Sequence, residues 1–126
     1  SIQVKIQPEG SQVMAFINRP LLEWVVENIT KNAVDAMAGE GKLTLEITEL
    51  TEGNVQMDIT DTGKGIPRNQ FKKVFEPGFT TKKRGWGLGL TLARRIVEQY
   101  HKGRIFVKSS EPGKGTTFRI LLRNRM

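Results

Sequence analysis

Apolar residues recur at every second position over Leu43, Leu45 and Ile47, and again over Val55, Met57 and Ile59, with Glu52-Gly53-Asn54 between the two runs. This pattern constrains the fold most. Two half-buried strands separated by a short turn read as an antiparallel hairpin with one apolar face. The alternation continues past Ile59 to Asp61 and places that carboxylate on the apolar side of its strand. A buried carboxylate is costly unless donors meet it.

The rest of the chain supplies layers for such a sheet. Ile2 to Ile6 and Val13 to Ile17 also alternate, and Glu9-Gly10-Ser11 between them predicts an opening hairpin. Asn18 offers a helix cap and Pro20 suits a first turn, so a helix runs to about Ala38 and stops at Gly39. A short helical stretch is expected around Gln70 to Val74, followed by an irregular segment from Phe75 to Trp86. A further helix starts near Leu88, with Leu88, Leu92, Ile96, Val97 and Tyr100 on one face and Gly103 as its stop. Arg104 to Ser109 and Thr116 to Leu122 close the chain as two strands around Glu111-Pro112-Gly113-Lys114-Gly115. The order β-β-α-β-β-α-α-β-β predicts an α+β fold. It is a two-layer α/β sandwich whose mixed, mostly antiparallel sheet is covered on one face by helices. Gln3, Lys5, Thr44, Glu46 and Thr48 would line the polar far face. Residues 1–126 read as one domain, with neither a repeat nor a linker.

Composition excludes several chemistries. Cysteine is absent, so no disulfide or thiolate metal site exists. No apolar run approaches the roughly 20 residues of a membrane span. The net charge of +7 favours polyanions, but the basic residues are spread over the chain and read mostly as a solvated surface. Lys82, Lys83 and Arg84 differ because they abut a glycine-rich loop.

Polar motifs then narrow the chemistry. On a helical wheel Leu22, Val25, Ile29, Ala33 and Ala36 share a buried arc, and Asn28, Asn32 and Asp35 border it. Asparagine is a poor interior helix former, so two amides on one edge need a reason. One is a ligand for Mg²⁺, which takes oxygen donors and keeps waters and phosphates; the other is satisfaction of a neighbouring loop backbone. Asp61 followed by Gly63 and Gly65 places a carboxylate beside backbone that approaches a ring closely, with the exocyclic amine of adenine as its donor; an ordinary Asp-led turn is the alternative. Gly85-Trp86-Gly87-Leu88-Gly89-Leu90 opens a helix, where backbone N–H groups favour phosphate. It matches neither a dinucleotide fingerprint nor a P-loop. Thr80, Thr81 and Lys82 lie in a polar stretch that reads as a phosphate lid or as an exposed loop, and Phe71, Phe75 and Phe79 as anchors for it. Thr116 reads as a strand residue within reach of Asp61 or a base edge, and His101, the sole histidine, as a helix-end cap.

In this order the motifs resemble the N, G1, F, G2 and G3 boxes of the histidine-kinase/gyrase/chaperone ATPase superfamily, over about Pro20 to Leu122. The details are similar to the catalytic, ATP-binding domain of bacterial sensor histidine kinases. The resemblance implies the Bergerat fold, with three helices on a mixed sheet, and ATP and Mg²⁺ as cofactors. Asn32 would hold Mg²⁺, Asn28 would support the metal–phosphate shell, and Asp35 would line the ribose or phosphates. Asp61 would accept from the adenine amine, with Gly63, Gly65 and Ile66 beside the base and Thr116 next to it. Thr80, Thr81 and Lys82 would meet phosphates, and Gly85, Gly87, Leu88, Gly89 and Leu90 would bound them. Asn28 stands where the superfamily's hydrolases carry a water-activating glutamate, and Trp86 is bulky for its place. The implied activity is transfer of the γ-phosphoryl group to a histidine on a separate dimerisation domain, and from there to a response regulator receiver domain. A stand-alone ATPase or an anti-sigma-type serine kinase is the alternative. The domain is expected to be a cytoplasmic monomer that binds no nucleic acid directly, in a parent protein that is soluble or membrane-anchored.

Overall fold

The computed structural model describes residues 2–7, 17–50, 53–78 and 89–123. It contains five strands in one sheet: β1 (Ile2–Gln7), β2 (Gly41–Glu49), β3 (Val55–Asp61), β4 (Arg104–Glu111) and β5 (Gly115–Leu122). Their spatial order is β1-β2-β3-β5-β4. β1 runs parallel to β2, and the other pairs are antiparallel. The predicted β2–β3 hairpin is present and is closed by Leu50 N donating to Asn54 O at 2.7 Å. The mixed sheet under helices bears out the expected fold class.

β1 differs in its described pairing. It lies parallel to β2 across the helix α1 (Arg19–Met37), while the expected hairpin partner at Val13 to Phe16 lies outside the described residues and Ile17 has no strand structure. Alternation fixes a strand's two faces but not its neighbour. Val4 and Ile6 stay 61% and 54% exposed at this edge, and only Ile2 packs on the core.

α1 starts as its sequence suggests. The Asn18 side chain accepts from Leu21 N at 3.1 Å, and Pro20 lies in the first turn. Leu22, Val25, Ile29, Ala33 and Met37 form its buried stripe. Met37 thus takes the place expected for Ala36, which is half-buried. Ala38 and Gly39 end the helix at positive φ.

Two 3₁₀ turns, Arg68–Gln70 and Lys73–Phe75, form the short helical stretch. Phe75 stacks edge-on against Phe118 at 6.1 Å, and Phe71 packs at the core margin. The second long helix begins as α2 (Gly89–Arg95) and continues as a π-helical turn, Ile96–Tyr100. Ala93 and Val97 are its buried residues, with Leu90 and Ile96 packed beside them. The expected stripe is therefore corrected: Leu92 and Tyr100 are 39% and 60% exposed, and Leu88 lies outside the described residues. The compact Ala93, fully buried, takes the inward position, and this turns Leu92, one residue away, toward solvent.

The far sheet face is polar as expected, with Gln3, Lys5, Glu46 and Thr48 exposed. Its centre holds one feature the sequence reading missed. Asp58 is 6% exposed and accepts from Arg119 Nε and Nη2 at 2.8 and 2.9 Å, a bidentate pair across β3 and β5. The pair faces away from the helices.

Candidate functional site

Asp61 ends β3 on the helix-facing side and is 5% exposed. Gly63 N donates to its Oδ1 at 2.8 Å, and the Thr116 backbone also hydrogen-bonds the carboxylate. Burial raises its pKa above the usual 3.8, and the two backbone bonds oppose that rise. An ionised carboxylate has about four acceptor positions, so two donors leave capacity for a ligand. Thr116 is its register partner on β5 and is equally buried.

The loop after Asp61 is fixed by backbone on two sides. Gly63 sits against α1 so closely that a Cβ would lie 2.6 Å from the Ala36 carbonyl carbon and oxygen. The next residue, Lys64, donates its N–H to that same Ala36 oxygen at 3.0 Å. On the other side Gly113 N donates to Lys64 O at 2.7 Å, and Ile66 N donates to Ser110 Oγ at 2.7 Å. Gly65, at φ +80°, faces the Glu111 carbonyl with no room for a side chain. Thr62 accepts from Lys42 N at 3.0 Å. Asp61, Gly63, Gly65, Ile66 and Thr116 therefore lie together. Ala36 and Ser110, which hold them, were not anticipated. Ala36 acts through its carbonyl, which no residue type reveals, and Ser110 falls between the expected strand Arg104 to Ser109 and the turn that starts at Glu111.

The middle of α1 meets α2. Asn28 is half-buried, and its Nδ2 donates to Trp24 O at 3.1 Å. A Cβ on Gly89 would lie 2.7 Å from Asn28 Oδ1, so the amide oxygen occupies space that the glycine leaves open. Thr91 Oγ1 donates to Phe75 O at 2.8 Å and ties α2 to the second 3₁₀ turn. Asn32 is half-buried one helical turn beyond Asn28 and one before Ala36. Asp35 is exposed, and Leu90 packs on the core. Eight residues, or about 12 Å of helix, separate Asn28 from Ala36. Thr80, Thr81, Lys82, Gly85, Gly87 and Leu88, with Phe79 and Trp86, lie outside the described residues.

His101 is 8% exposed. Its Nε2 accepts from Asn18 N at 2.9 Å, which leaves Nδ1 as the donor to Ile96 O at 2.9 Å. Both ring nitrogens serve the fold, in keeping with the helix-end role expected for it. Among the described residues no group of three or more His, Cys, Asp or Glu side chains forms a metal cage.

A family model described as histidine kinase-, DNA gyrase B- and HSP90-like ATPase matches residues 17–126. The chain belongs to this ATPase family. Membership implies an ATP-binding domain. The sensor histidine kinase ZraS of Klebsiella oxytoca is 38% identical over 97% of this chain and 26% of its own length. The signal transduction histidine-protein kinase AtoS of Escherichia coli is 42% identical over 83% of the chain and 17% of its own length. The chain thus spans about a quarter or less of these curated relatives. Among solved structures, the nucleotide-free catalytic domain of histidine kinase ThkA aligns with a TM-score of 0.79 at 28% identity, covering 98% of this chain and 78% of that one. ThkA in complex with the response regulator protein TrrA aligns at 0.83 and 25% identity, over 98% and 34%. The ATPase-family match reaches from the α1 cap through both ends of the site.

Proposed function

We propose that this domain binds Mg-ATP and delivers the γ-phosphoryl group to a histidine on a separate dimerisation domain of its parent protein, for relay to a response regulator receiver domain. The observation that carries the nucleotide reading is Asp61: a buried carboxylate, held by two backbone N–H groups, with acceptor positions left for a base amine. The phosphoryl-transfer reading is supported by relatives named as sensor histidine kinases and by a neighbour solved with its response regulator.

Asn32 fits Mg²⁺ chemically, because a hard oxygen donor suits that ion and because phosphates and waters complete its shell without a protein cage. When bound, the ion would neutralise charge on the phosphate oxygens. The chain's own residues bind and orient. Asp61 fixes the base, the Asn28–Gly89 contact sets the spacing of the two helices, and catalysis rests on positioning and electrostatics.

The residues also disfavour hydrolysis. The Asn28 amide has no basic site to take a proton from water. Glu27 is exposed and turned about 100° around the helix. His101 has both nitrogens engaged in the fold, so the acceptor imidazole has to come from elsewhere. On this reading the domain works on the cytoplasmic side, as a monomer when isolated.

Calorimetric titration of Mg-ADP into the wild type and Asn32→Ala tests binding. The variant is expected to lose about tenfold in affinity, and most of the magnesium dependence with it. Labelled phosphate should then appear on the parent's dimerisation domain, while the isolated domain turns over little. ATPase rates that are equal with and without that domain would overturn the transfer reading.

A further inference from the structure

Ser110, the penultimate residue of β4, makes three polar contacts through one oxygen. Its Oγ lies 2.7 Å from Ile66 N, 2.9 Å from Gly115 O and 2.8 Å from Thr116 Oγ1. A serine hydroxyl has one proton and two lone pairs. The Ile66 N–H can only donate, so it takes one lone pair. The Gly115 carbonyl can only accept, so it takes the proton. The third contact must then be the Thr116 hydroxyl donating to the second lone pair of Ser110. This assignment alone satisfies all three contacts.

The consequence falls on Thr116. Its proton is committed to Ser110, and its Oγ1 offers any other group lone pairs only. Asp61, directly across the β3–β5 ladder, offers lone pairs only when ionised. The two side chains stand on the same sheet face, and each is 5% exposed.

We propose that Ser110 is a positioning residue for base selection: by holding the Thr116 proton it makes the Asp61–Thr116 pair accept from a nucleobase amine and refuse a carbonyl in the same place. This rests on the nucleotide reading above. A purine with an amine at C6 has donors for such a wall. A purine with a carbonyl there places an acceptor against acceptors at C6, leaves that oxygen unpaired and keeps only its N1–H to donate, against two N–H donors on an amine. Sites built to bond a substrate N–H discriminate strongly against analogues that lack it. Without the serine oxygen the Thr116 hydroxyl is free to rotate and donate, and the refusal weakens.

The experiment is a pair of titrations, Mg-ATP and Mg-ITP, into the wild type, Ser110→Ala and Ser110→Thr. The two ligands differ at C6, amine against carbonyl, and at the adjacent N1, a bare acceptor in ATP and an N–H in ITP. The wild type is expected to favour ATP by about 100-fold, in the range of one unpaired buried polar group or somewhat more. Ser110→Ala should lower the ATP-to-ITP ratio about tenfold, and Ser110→Thr, which keeps a hydroxyl, should restore it. Thermal denaturation reports whether Ser110→Ala folds. Should it not fold, Thr116→Val replaces it, because loss of the threonine lone pairs is also expected to lower the ratio. Equal weakening of both ligands by Ser110→Ala, or an unchanged ratio in Thr116→Val, would overturn the assignment and leave nucleotide binding standing. A wild type that binds neither ligand would overturn the nucleotide reading itself, and the assignment with it.

Discussion

The two ends of the candidate site are built differently. At the Asp61 end, backbone meets backbone: Gly63 against the Ala36 carbonyl, Lys64 N on Ala36 O, Gly113 N on Lys64 O. At the Asn28 end, side chains make the contacts: Asn28 Oδ1 in the space beside Gly89, and Thr91 Oγ1 on Phe75 O. The Ala36 carbonyl, in the last turn of α1, cannot move aside without disturbing the helix end, whereas the tip of an asparagine can rotate. One end is thus set on folding. The other is closed by side chains that can still adjust.

The sharpest way to break this contrast is a methyl group at each end. Gly63→Ala drives a Cβ to 2.6 Å from a helix carbonyl that is already bonded to Lys64. We expect a loss of about 3 kcal/mol, the upper part of the usual overpacking range, and a fall in Tm of about 10 °C for a domain of this size. Chemical and thermal denaturation read it directly. A loss below about 1 kcal/mol would mean that the Asp61 loop yields after all.

Asp61→Asn separates stability from binding at the same end. In the ligand-free protein burial raises the Asp61 pKa. In the pH window just above 3.8, the folded state then holds more protons than the unfolded state, so stability falls as pH rises, and the deficit persists at neutral pH. Asparagine keeps an acceptor oxygen for Gly63 N and carries no charge. The variant is therefore expected to melt higher than the wild type at pH 7, with the gap closing as pH falls below that window. Its ATP affinity should drop about 100-fold, the range for a hydrogen bond to a charged group. A variant that melts lower at neutral pH would show that the two backbone bonds outweigh burial.

Gly89→Ala is the matching test at the Asn28 end. The new methyl meets a terminal side-chain oxygen, which can rotate away. Tm should change by less than about 2 °C, the equivalent of roughly 0.5 kcal/mol. Mg-ADP affinity should fall about tenfold, because Asn28 is displaced from its place between the helices. A large loss of stability without a change in affinity would make the two ends alike.

How much of this was legible in the sequence follows the same division. Period-two alternation gave the faces of β2 and β3 and put Asp61 inside. Asn18 and Gly39 bracketed α1. These signals are local, because a side chain's own chemistry carries them. What escaped was long-range or made of backbone. The parallel pairing of β1 with β2 depends on a crossover, not on the strand's own pattern. The buried Asp58 is invisible until Arg119, on another strand, arrives beside it. The inward face of α2 was misread because large residues were favoured over Ala93, whose small size lets it sit fully buried. The Ala36 carbonyl and the three contacts of Ser110 carry no signature in residue type.

The smallest expected effect asks whether the adjustable end also sets the reaction's outcome. Asn28→Glu places a carboxylate where the amide now lies. Glutamate has no N–H for Trp24 O, so the bond at 3.1 Å is lost and the side chain is released from its own helix. A carboxylate at this position can accept a proton from water, which the amide cannot. General-base assistance from a well-placed group is worth about 10² to 10⁴ in rate. The new group is not held by neighbours evolved for it, so a rise of only about fivefold in partner-independent ATP hydrolysis is expected, well below that range. Steady-state phosphate release from the isolated domain measures it, with Mg-ADP affinity as the control for intact binding. An unchanged rate with intact binding would mean that the identity of residue 28 does not decide between water and another acceptor.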